Sequence, residues 1–311
     1  MTTIFIDGSS GTTGLQIRER LFKRTDLSIL EVPYELRHEE AVRREALNKA
    51  DIAFLCLPDD AAEVSAQLCE DPSTVIIDTS TRHRTEPGWV YGLAELEGQR
   101  EQIRTAKRIA NPGCHATGFI TLVAPLVKAG LLKSDVSLQC FSLTGYSGGG
   151  KKMIAEYEAD PRDPLLDAPR MYGLSQNHKH LKEMKVISGL TAEPIFCPIV
   201  ADYYSGMETV VPLFAHDVNG TAEDIRNVYR AQYQGPMITF AEAAAEGNFR
   251  SGNAFAGRDD LEVRVEGNDE RILLVSRFDN LGKGACGAAI QNLNIVLGID
   301  ETTGLKTGGS L

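Results

Sequence analysis

Four short apolar runs, separated by helical stretches, constrain this chain more than any single residue does. Thr3-Ile4-Phe5-Ile6, Leu27 to Val32, Ile52 to Leu57 and Val75-Ile76-Ile77-Asp78 are near-continuously apolar, the pattern of strands covered on both faces. Between them stand Leu15 to Phe22, the charged His38 to Ala50, and a stretch carrying Ala61, Val64 and Leu68 at helical spacing. Such a β-α-β-α-β rhythm folds as a parallel sheet with helices on both faces, and its ligands bind beyond the carboxyl ends of the strands. Gly8 to Gly14, Leu57 to Asp60 with Pro58, Asp78 to Arg84 with Ser80, and Asn111 to Gly118 all follow strand ends.

The first of these segments, Asp7-Gly8-Ser9-Ser10-Gly11-Thr12-Thr13-Gly14, joins a strand to a helix with G-x-x-G-x-x-G spacing. Residues without Cβ there let backbone N–H groups approach a phosphate at a helix N-terminus, although a glycine-rich turn without a ligand has the same pattern. Glu31 is the nearest acidic residue to the end of the second strand, and its neighbours Val32 and Pro33 leave its aim open. A carboxylate gripping a ribose 2′-hydroxyl is therefore not evident. The pattern leans to a 2′-phosphorylated dinucleotide, with Arg37 as a candidate partner.

Asn111-Pro112-Gly113-Cys114-His115-Ala116-Thr117-Gly118 sets one cysteine where a turn gives way to an apolar helical run. Unpaired N–H groups and the helix dipole favour a thiolate there, so Cys114 is a candidate nucleophile; the alternative is a buried structural cysteine. His178-Lys179-His180 supplies imidazoles able to hold a thiolate and move a proton near neutral pH. An exposed helix entry is the competing reading. No metal is expected, since no third ligand stands at a recognisable spacing. Gly145 to Lys152, with Ser147, three consecutive glycines and Lys151, has the composition of an anion cradle or of a flexible hairpin loop. Arg82, His83 and Arg84 form a basic group at a strand end, suited to an exposed turn or to bidentate recognition of a carboxylate or phosphate.

From about Val136 the texture changes: Val136 to Leu143 alternates imperfectly, and apolar runs follow at Lys185 to Ser188, Ile195 to Val200, Met207 to Phe214 and Arg271 to Phe278, interrupted by the helix-like Ala222 to Tyr233. These predict a second domain, α+β, with a mixed, largely antiparallel sheet and helices on one face, beside the α/β Rossmann-type nucleotide-binding one. The expected division is 1–116 with a return segment 283–311, and 117–282. The glycine-rich tail from Thr302 is expected to fray. A formal charge of -11 argues against a nucleic-acid or acidic-membrane footprint, and no apolar stretch reaches the length of a bilayer span. Six scattered cysteines and an N-terminus lacking basic and long apolar regions predict a cytoplasmic protein with reduced thiols.

Taken in order, several stretches resemble the N-acetyl-gamma-glutamyl-phosphate reductases, in their shorter form. They are Gly8 to Gly14, Asp78 to Arg84, Trp89 to Leu96, Asn111 to Gly118, Ser147 to Lys151, Asn177 to Met184, Phe196-Cys197-Pro198 with Gly206-Met207, and Asn280 to Ala285. The resemblance spans nearly the whole chain. It implies a semialdehyde dehydrogenase-like fold and NADPH-dependent reduction of an acyl phosphate to N-acetylglutamate 5-semialdehyde, with Cys114 as nucleophile and His178 or His180 as base. It further implies cofactor contacts at Gly8, Ser10, Gly11, Thr12, Thr13, Gly14, Pro58, Ser80, Asn280, Lys283 and Gly284. Substrate contacts are implied at Arg84, Ser147 and Lys151. A homodimer or homotetramer acting on a small acyl phosphate follows from the same likeness. Gly282 departs from the pattern, standing where a larger residue is common. Aspartate-semialdehyde dehydrogenases and carrier-linked homologues of lysine synthesis share this chemistry. A nucleotide-binding redox sensor is the non-enzymatic alternative.

Overall fold

The computed structural model describes residues 1–8, 11–242 and 246–308, and of Thr12 only the backbone. The chain forms two compact units. Unit 1 is Met1–Ala94, Gly98–Pro112 and Ala288–Gly304, and unit 2 is Glu95–Glu97, Gly113–Gly287 and the tail from Leu305.

Unit 1 runs β1 (Thr2–Asp7), α1 (Thr12–Leu21), β2 (Leu27–Leu30), α2 (Glu40–Lys49), β3 (Ile52–Leu55), α3 (Asp59–Leu68), β4 (Val75–Asp78), β5 (Val90–Tyr91), α4 (Gln99–Thr105) and β6 (Arg108–Ala110). Its six strands are all parallel, in the order β2-β1-β3-β4-β6-β5. Every residue of β3 and β4 is buried, which is why those runs carry no polar alternation. Phe5, Leu47, Ala53, Leu55, Leu68 and Ile76 form a core between helices and sheet. The chain leaves β1 for one neighbour and returns for the other, so the carboxyl end of β1, at Gly8, is the switch point of the sheet.

Unit 2 runs α5 (Cys114–Lys128), β7 (Gln139–Gly145), α6 (Gly150–Tyr157), β8 (Arg170–Met171), α7 (Leu181–Ser188), β9 (Ile195–Ala201), β10 (Met207–Phe214), α8 (Ala222–Gln232), β11 (Ile238–Phe240), β12 (Leu261–Gly267) and β13 (Arg271–Phe278). The seven strands lie in the order β11-β12-β13-β10-β7-β9-β8, with β7–β9 and β11–β12 parallel and the other pairs antiparallel. The imperfect alternation has a plain cause. In β10, Met207, Thr209, Val211 and Leu213 are buried on the face covered by α5, while Glu208, Val210, Pro212 and Phe214 lie on the other.

Helix α5 approaches the sheet closely because Gly118 has no side chain. A Cβ at that position would lie 2.4 Å from the Thr209 hydroxyl and 3.0 Å from the Phe278 ring. Two hydroxyls one turn further along the helix tighten the seat: Tyr229 donates to the Leu122 carbonyl and Tyr233 to the Thr121 carbonyl, both at 2.5 Å. The boundary between the units falls at Pro112–Gly113, ahead of the expected residue 116, since α5 is one piece of packing from Cys114 onward.

After β13 comes one turn of π-helix, Gly282–Cys286, and then α9 (Gly287–Leu297), which re-enters unit 1 at Ala288 instead of residue 283. Buried Asn292 fixes the return by donating to the Gly92 carbonyl at 3.0 Å and to Asn111 Oδ1 at 3.1 Å. The tail does not fray where it is described. Thr302 N–H donates to Asp300 Oδ1 at 2.8 Å, and in unit 2 Lys306 N–H donates to Asp259 Oδ2 at 2.8 Å and Gly308 N–H to Asp260 Oδ2 at 3.2 Å.

Gly118→Ala forces the added methyl into the Thr209 hydroxyl, and overpacking of this kind costs about 1–3 kcal/mol. Urea unfolding measures it, and a variant as stable as the parent contradicts the close approach.

Candidate active site

The β1–α1 turn of unit 1 is built for a close approach. Gly8 takes φ +89°, and a Cβ there would lie 2.3 Å from the Cys56 carbonyl. Gly11 caps α1 with extended backbone and is exposed, and Thr12, Thr13 and Gly14 form the first helical turn, which has no acidic residue. Free N–H groups at that helix start suit a pyrophosphate. Ser10 lies outside the described residues. Beyond β2, Arg18 pairs with Glu31 at 2.7 Å, and the Arg37 guanidinium lies 3.5 Å from the centre of the Tyr34 ring. The guanidiniums of Arg18 and Arg37 stand near this strand end, and the nearest carboxylate, Glu31, is engaged by Arg18.

The other loops of unit 1 are internally tied. Pro58 caps α3, whose first residue Asp59 accepts the Thr81 N–H at 2.8 Å. The Asp78 carboxylate accepts Ser80 N–H at 2.9 Å and Ser80 Oγ at 2.6 Å, and it meets His83 Nδ1 at 2.7 Å. His83 in turn stacks on Trp89 with ring centres 3.9 Å apart. Arg84 is buried; its Nε donates to the Asn111 carbonyl at 2.9 Å and its Nη2 to the Thr79 carbonyl at 3.2 Å, bracing the ends of β4 and β6.

In unit 2, Cys114 is the first residue of α5, half-buried, with Gly113 as an extended N-cap. Thr117 closes the turn by donating its hydroxyl to the Gly113 carbonyl at 3.0 Å. The sulfur thus sits at the positive end of a fifteen-residue helix. Gly284, from the π-turn, packs against it: a Cβ there would stand 2.9 Å from Cys114 Cβ. This turn needs glycine at Gly282 as well, where a Cβ would meet the Arg258 carbonyl at 1.9 Å, so the departure noted in the sequence has a steric reason.

His178 and His180 lie in the segment leading into α7, their ring centres 4.7 Å apart, and His180 N–H donates to His178 Nδ1 at 3.1 Å. Glu183, one turn into α7 and 2% exposed, connects them to the thiol's turn. Its Oε2 accepts the Gly113 N–H at 3.2 Å and its Oε1 lies 3.8 Å from His180 Nε2. The buried carboxylate offsets the cost of an imidazolium at His180. Sequence reading missed Glu183, although a carboxylate three residues after His180 at a helix start was a legible signal.

His115 is also buried, and it went unassigned in the sequence. Its Nδ1 is 2.7 Å from Ser142 Oγ, its Nε2 is 2.7 Å from Tyr172 Oη, and its ring centre is 5.7 Å from those of both His178 and His180. Burial, and then the neighbouring His178, lower its pKa to about 3, so it is a neutral imidazole at physiological pH.

The candidate anion cradle follows β7. Ser147 is buried in a short 3₁₀ turn, Tyr146–Gly149, and its Oγ accepts from Asn280 Nδ2 at 3.0 Å. Asn280 Oδ1 accepts the Gly206 N–H at 2.9 Å, so both ends of this amide brace loops of unit 2. Lys151 is exposed in the first turn of α6. Lys283 is fully buried and ion-paired with Glu95 Oε1 at 2.7 Å, anchoring the π-turn that carries Gly284. Among the described residues no group of three or more potential metal ligands occurs, and no helix is long and apolar enough to cross a membrane.

Comparison with known proteins gives the same division of labour. A family model for the semialdehyde dehydrogenase NAD binding domain matches residues 8–106, and one for the semialdehyde dehydrogenase dimerisation domain matches residues 114–280. The chain is 42% identical to N-acetyl-gamma-glutamyl-phosphate reductase 2 of Nostoc sp., covering 97% of this chain and 98% of that protein. It is 45% identical to N-acetyl-gamma-glutamyl-phosphate reductase of Brucella anthropi, with 95% and 98% covered. Among solved structures, aspartate semialdehyde dehydrogenase II of Vibrio cholerae shares the fold at a TM-score of 0.69 and 15% identity, over 96% of this chain and 98% of that one.

The depressed pKa of His115 has a signed consequence for stability. Below pH 6.5 the unfolded chain binds a proton at this residue while the native chain does not, so stability is lost as pH falls from 6.5 towards about 3. Each pH unit in that window costs about 1.4 kcal/mol from this residue. Subtracting the stability profile of His115→Gln from the parent profile isolates that slope, and parallel profiles between pH 6 and 4 contradict it.

Proposed function

Because the chain belongs to the N-acetyl-gamma-glutamyl-phosphate reductases of the semialdehyde dehydrogenase family, we propose that Cys114 and His180 carry out its reaction as nucleophile and base. That reaction is the NADPH-dependent reduction of N-acetyl-5-glutamyl phosphate to N-acetyl-L-glutamate 5-semialdehyde and phosphate, in arginine biosynthesis. Low identity to the aspartate semialdehyde dehydrogenases leaves those a shared fold and no more.

The observation that carries the site assignment is Glu183, which touches the turn of Cys114 and faces His180. His180 takes the thiol proton, and the carboxylate holds the resulting imidazolium. The thiolate attacks the acyl carbon, an S–C bond forms, and the C–O bond to phosphate breaks, leaving a thioester on Cys114. NADPH supplies the hydride that reduces this thioester. The His180 imidazolium gives the proton it took from the thiol to the oxyanion so formed. Collapse of the Cys114 thiohemiacetal then breaks the C–S bond and releases the aldehyde, with the now neutral His180 taking the hydroxyl proton back. His178 orients its neighbour through Nδ1. Ser147 and Lys151 are proposed contacts for the phosphate or carboxylate of the substrate, and Arg84 a brace of the loop that carries it. In unit 1, Gly8, Ser10, Gly11 and Thr12 to Gly14 are proposed to bind the pyrophosphate, with Pro58 and Ser80 beside them and Arg37 near the 2′-phosphate. In unit 2, Gly284 fits a residue that leaves the face of Cys114 open, and Lys283 and Asn280 support it from behind.

The enzyme is a homo-oligomer in this reading, built as a dimer through the uncovered face of the seven-stranded sheet. Phe141, Ile195, Phe214 and Leu273 are all exposed there, and Val210 and Pro212 lie between them in register. A cytoplasmic location accords with a biosynthetic substrate.

Phosphate-dependent reduction of NADP by N-acetylglutamate semialdehyde, assayed with purified protein, tests the function. Cys114→Ala is expected to lose activity by on the order of 10³-fold or more while keeping its fold. His180→Asn should lose about 10²–10⁴-fold in kcat, and His178→Asn less. An active Cys114→Ala enzyme sinks the mechanism, and a larger loss at His178 than at His180 reverses the assignment of the base.

A further inference from the structure

Register sets one arginine on the face of the seven-stranded sheet that bears the histidines. The Phe196 ring on β9 lies edge to face with His115 and His178, and alternation returns Val200 to the same face. Arg170 on β8 pairs with Val200, whereas Met171 pairs with Ile199 and is exposed on the other face. Two residues after Arg170, Tyr172 faces the histidines again, with Oη 2.7 Å from His115 Nε2. Val200, Tyr157 and Leu166 form a buried cluster, and Tyr146, Met153 and Tyr172 pack against it. Arg170 reaches into this cluster. Its Nη2 donates to Tyr157 Oη at 3.2 Å, and Tyr157 stacks on Tyr146, the residue before Ser147, with ring centres 4.7 Å apart.

Arg170 Nε is buried without a hydrogen-bond partner, and among the described residues no carboxylate is within ion-pair reach of the side chain. The carboxylates beside Tyr146 are engaged elsewhere: Asp202 pairs with Arg162, and Glu158 accepts from the Tyr146 hydroxyl at 3.5 Å. A desolvated cation without a counter-ion is costly, and the more unexpected in a chain of net charge -11; an anionic ligand offsets that cost. The substrate brings two anions, the phosphate on the carbon that Cys114 attacks and an α-carboxylate at the other end of its chain. Along the strands Tyr172 stands between Arg170 and the histidines, so the guanidinium is set back from the reacting carbon and suits the far end of the substrate. We propose that Arg170 takes the α-carboxylate through its planar fork of N–H groups, with Tyr157 holding the plane of the fork. The phosphate is then left to Ser147 and Lys151. This rests on the reaction given above, and it adds the group by which the site tells its semialdehyde from an uncharged aldehyde of the same length.

Run in reverse, the reaction separates the two anions: the carboxylate stays on the semialdehyde, and phosphate is added as a free ion. Arg170→Met keeps an apolar stem and removes the guanidinium. It should raise KM for N-acetylglutamate semialdehyde about 10–100-fold while leaving KM for phosphate unchanged. Arg170→Lys, which keeps the charge and loses the fork, should fall between. 4-Acetamidobutanal has the same chain without the carboxylate, so the parent's preference for the semialdehyde over it should shrink by the same factor in Arg170→Met. A general disturbance of the site lowers activity with both aldehydes alike and leaves that preference intact. An intact preference, or a rise in KM for phosphate instead, overturns the proposal. Calorimetry judges it without turnover: in Cys114→Ala enzyme, adding Arg170→Met should weaken semialdehyde binding by the same factor, and unchanged binding overturns the proposal. A parent enzyme inactive with the semialdehyde would contradict the function given above, and an active Cys114→Ala enzyme its mechanism, while the calorimetry still decides the role of Arg170.

Discussion

The seating of α5 on the seven-stranded sheet is the constraint on which the chemistry of unit 2 depends. Gly118 lets the helix come within reach of Thr209, and Gly284 lets the π-turn come within reach of Cys114; at neither position is there room for a methyl group. Interiors are too densely packed to absorb such a group cheaply. Gly118 and the hydroxyls of Tyr229 and Tyr233 hold the two middle turns of the helix, and these seat the first turn that carries Cys114. Cys114 therefore meets the N–H groups of its own helix in a geometry that needs no reorganisation when charge forms on sulfur.

Around that sulfur the structure sets charges in pairs. Glu183 is buried, and an isolated buried carboxylate is costly, but it accepts from Gly113 and faces His180. A cation formed at His180 would thus face a carboxylate already in place. Lys283 and Glu95 follow the same rule away from the thiol, a fully buried cation matched by a carboxylate. His115 departs from it by staying neutral in its buried position.

The parallel sheet of unit 1 was legible because strands buried on both faces are apolar along their length; β3 has no polar position, and β4 has one, Asp78, only at its carboxyl end. Cys114 was legible for a local reason, the turn before it and the apolar run after it. What could not be read were relations that the chain makes only by folding. Asn280 was expected at a cofactor, yet its two amide atoms bridge Ser147 and Gly206, residues 133 and 74 positions away. Arg84 read either as part of an exposed turn or as an anion-binding guanidinium; it is buried, and it braces the Asn111 and Thr79 carbonyls. Glu183 lay in plain view beside the histidines, but its bond to Gly113 spans 70 residues. His115 hid behind Cys114 because a residue next to a nucleophile in sequence points to a different side of the helix.

The central claim is that sulfur of Cys114 receives the acyl group before any reduction takes place. Mixing the enzyme with N-acetyl-5-glutamyl phosphate in the absence of NADPH, then quenching in acid and following phosphate together with the mass of the Cys114 peptide, tests this directly. A burst of phosphate stoichiometric with enzyme, and an N-acetylglutamyl adduct on Cys114, are the predicted results. Phosphate release that waits for NADPH, or an adduct on another residue, would contradict the account.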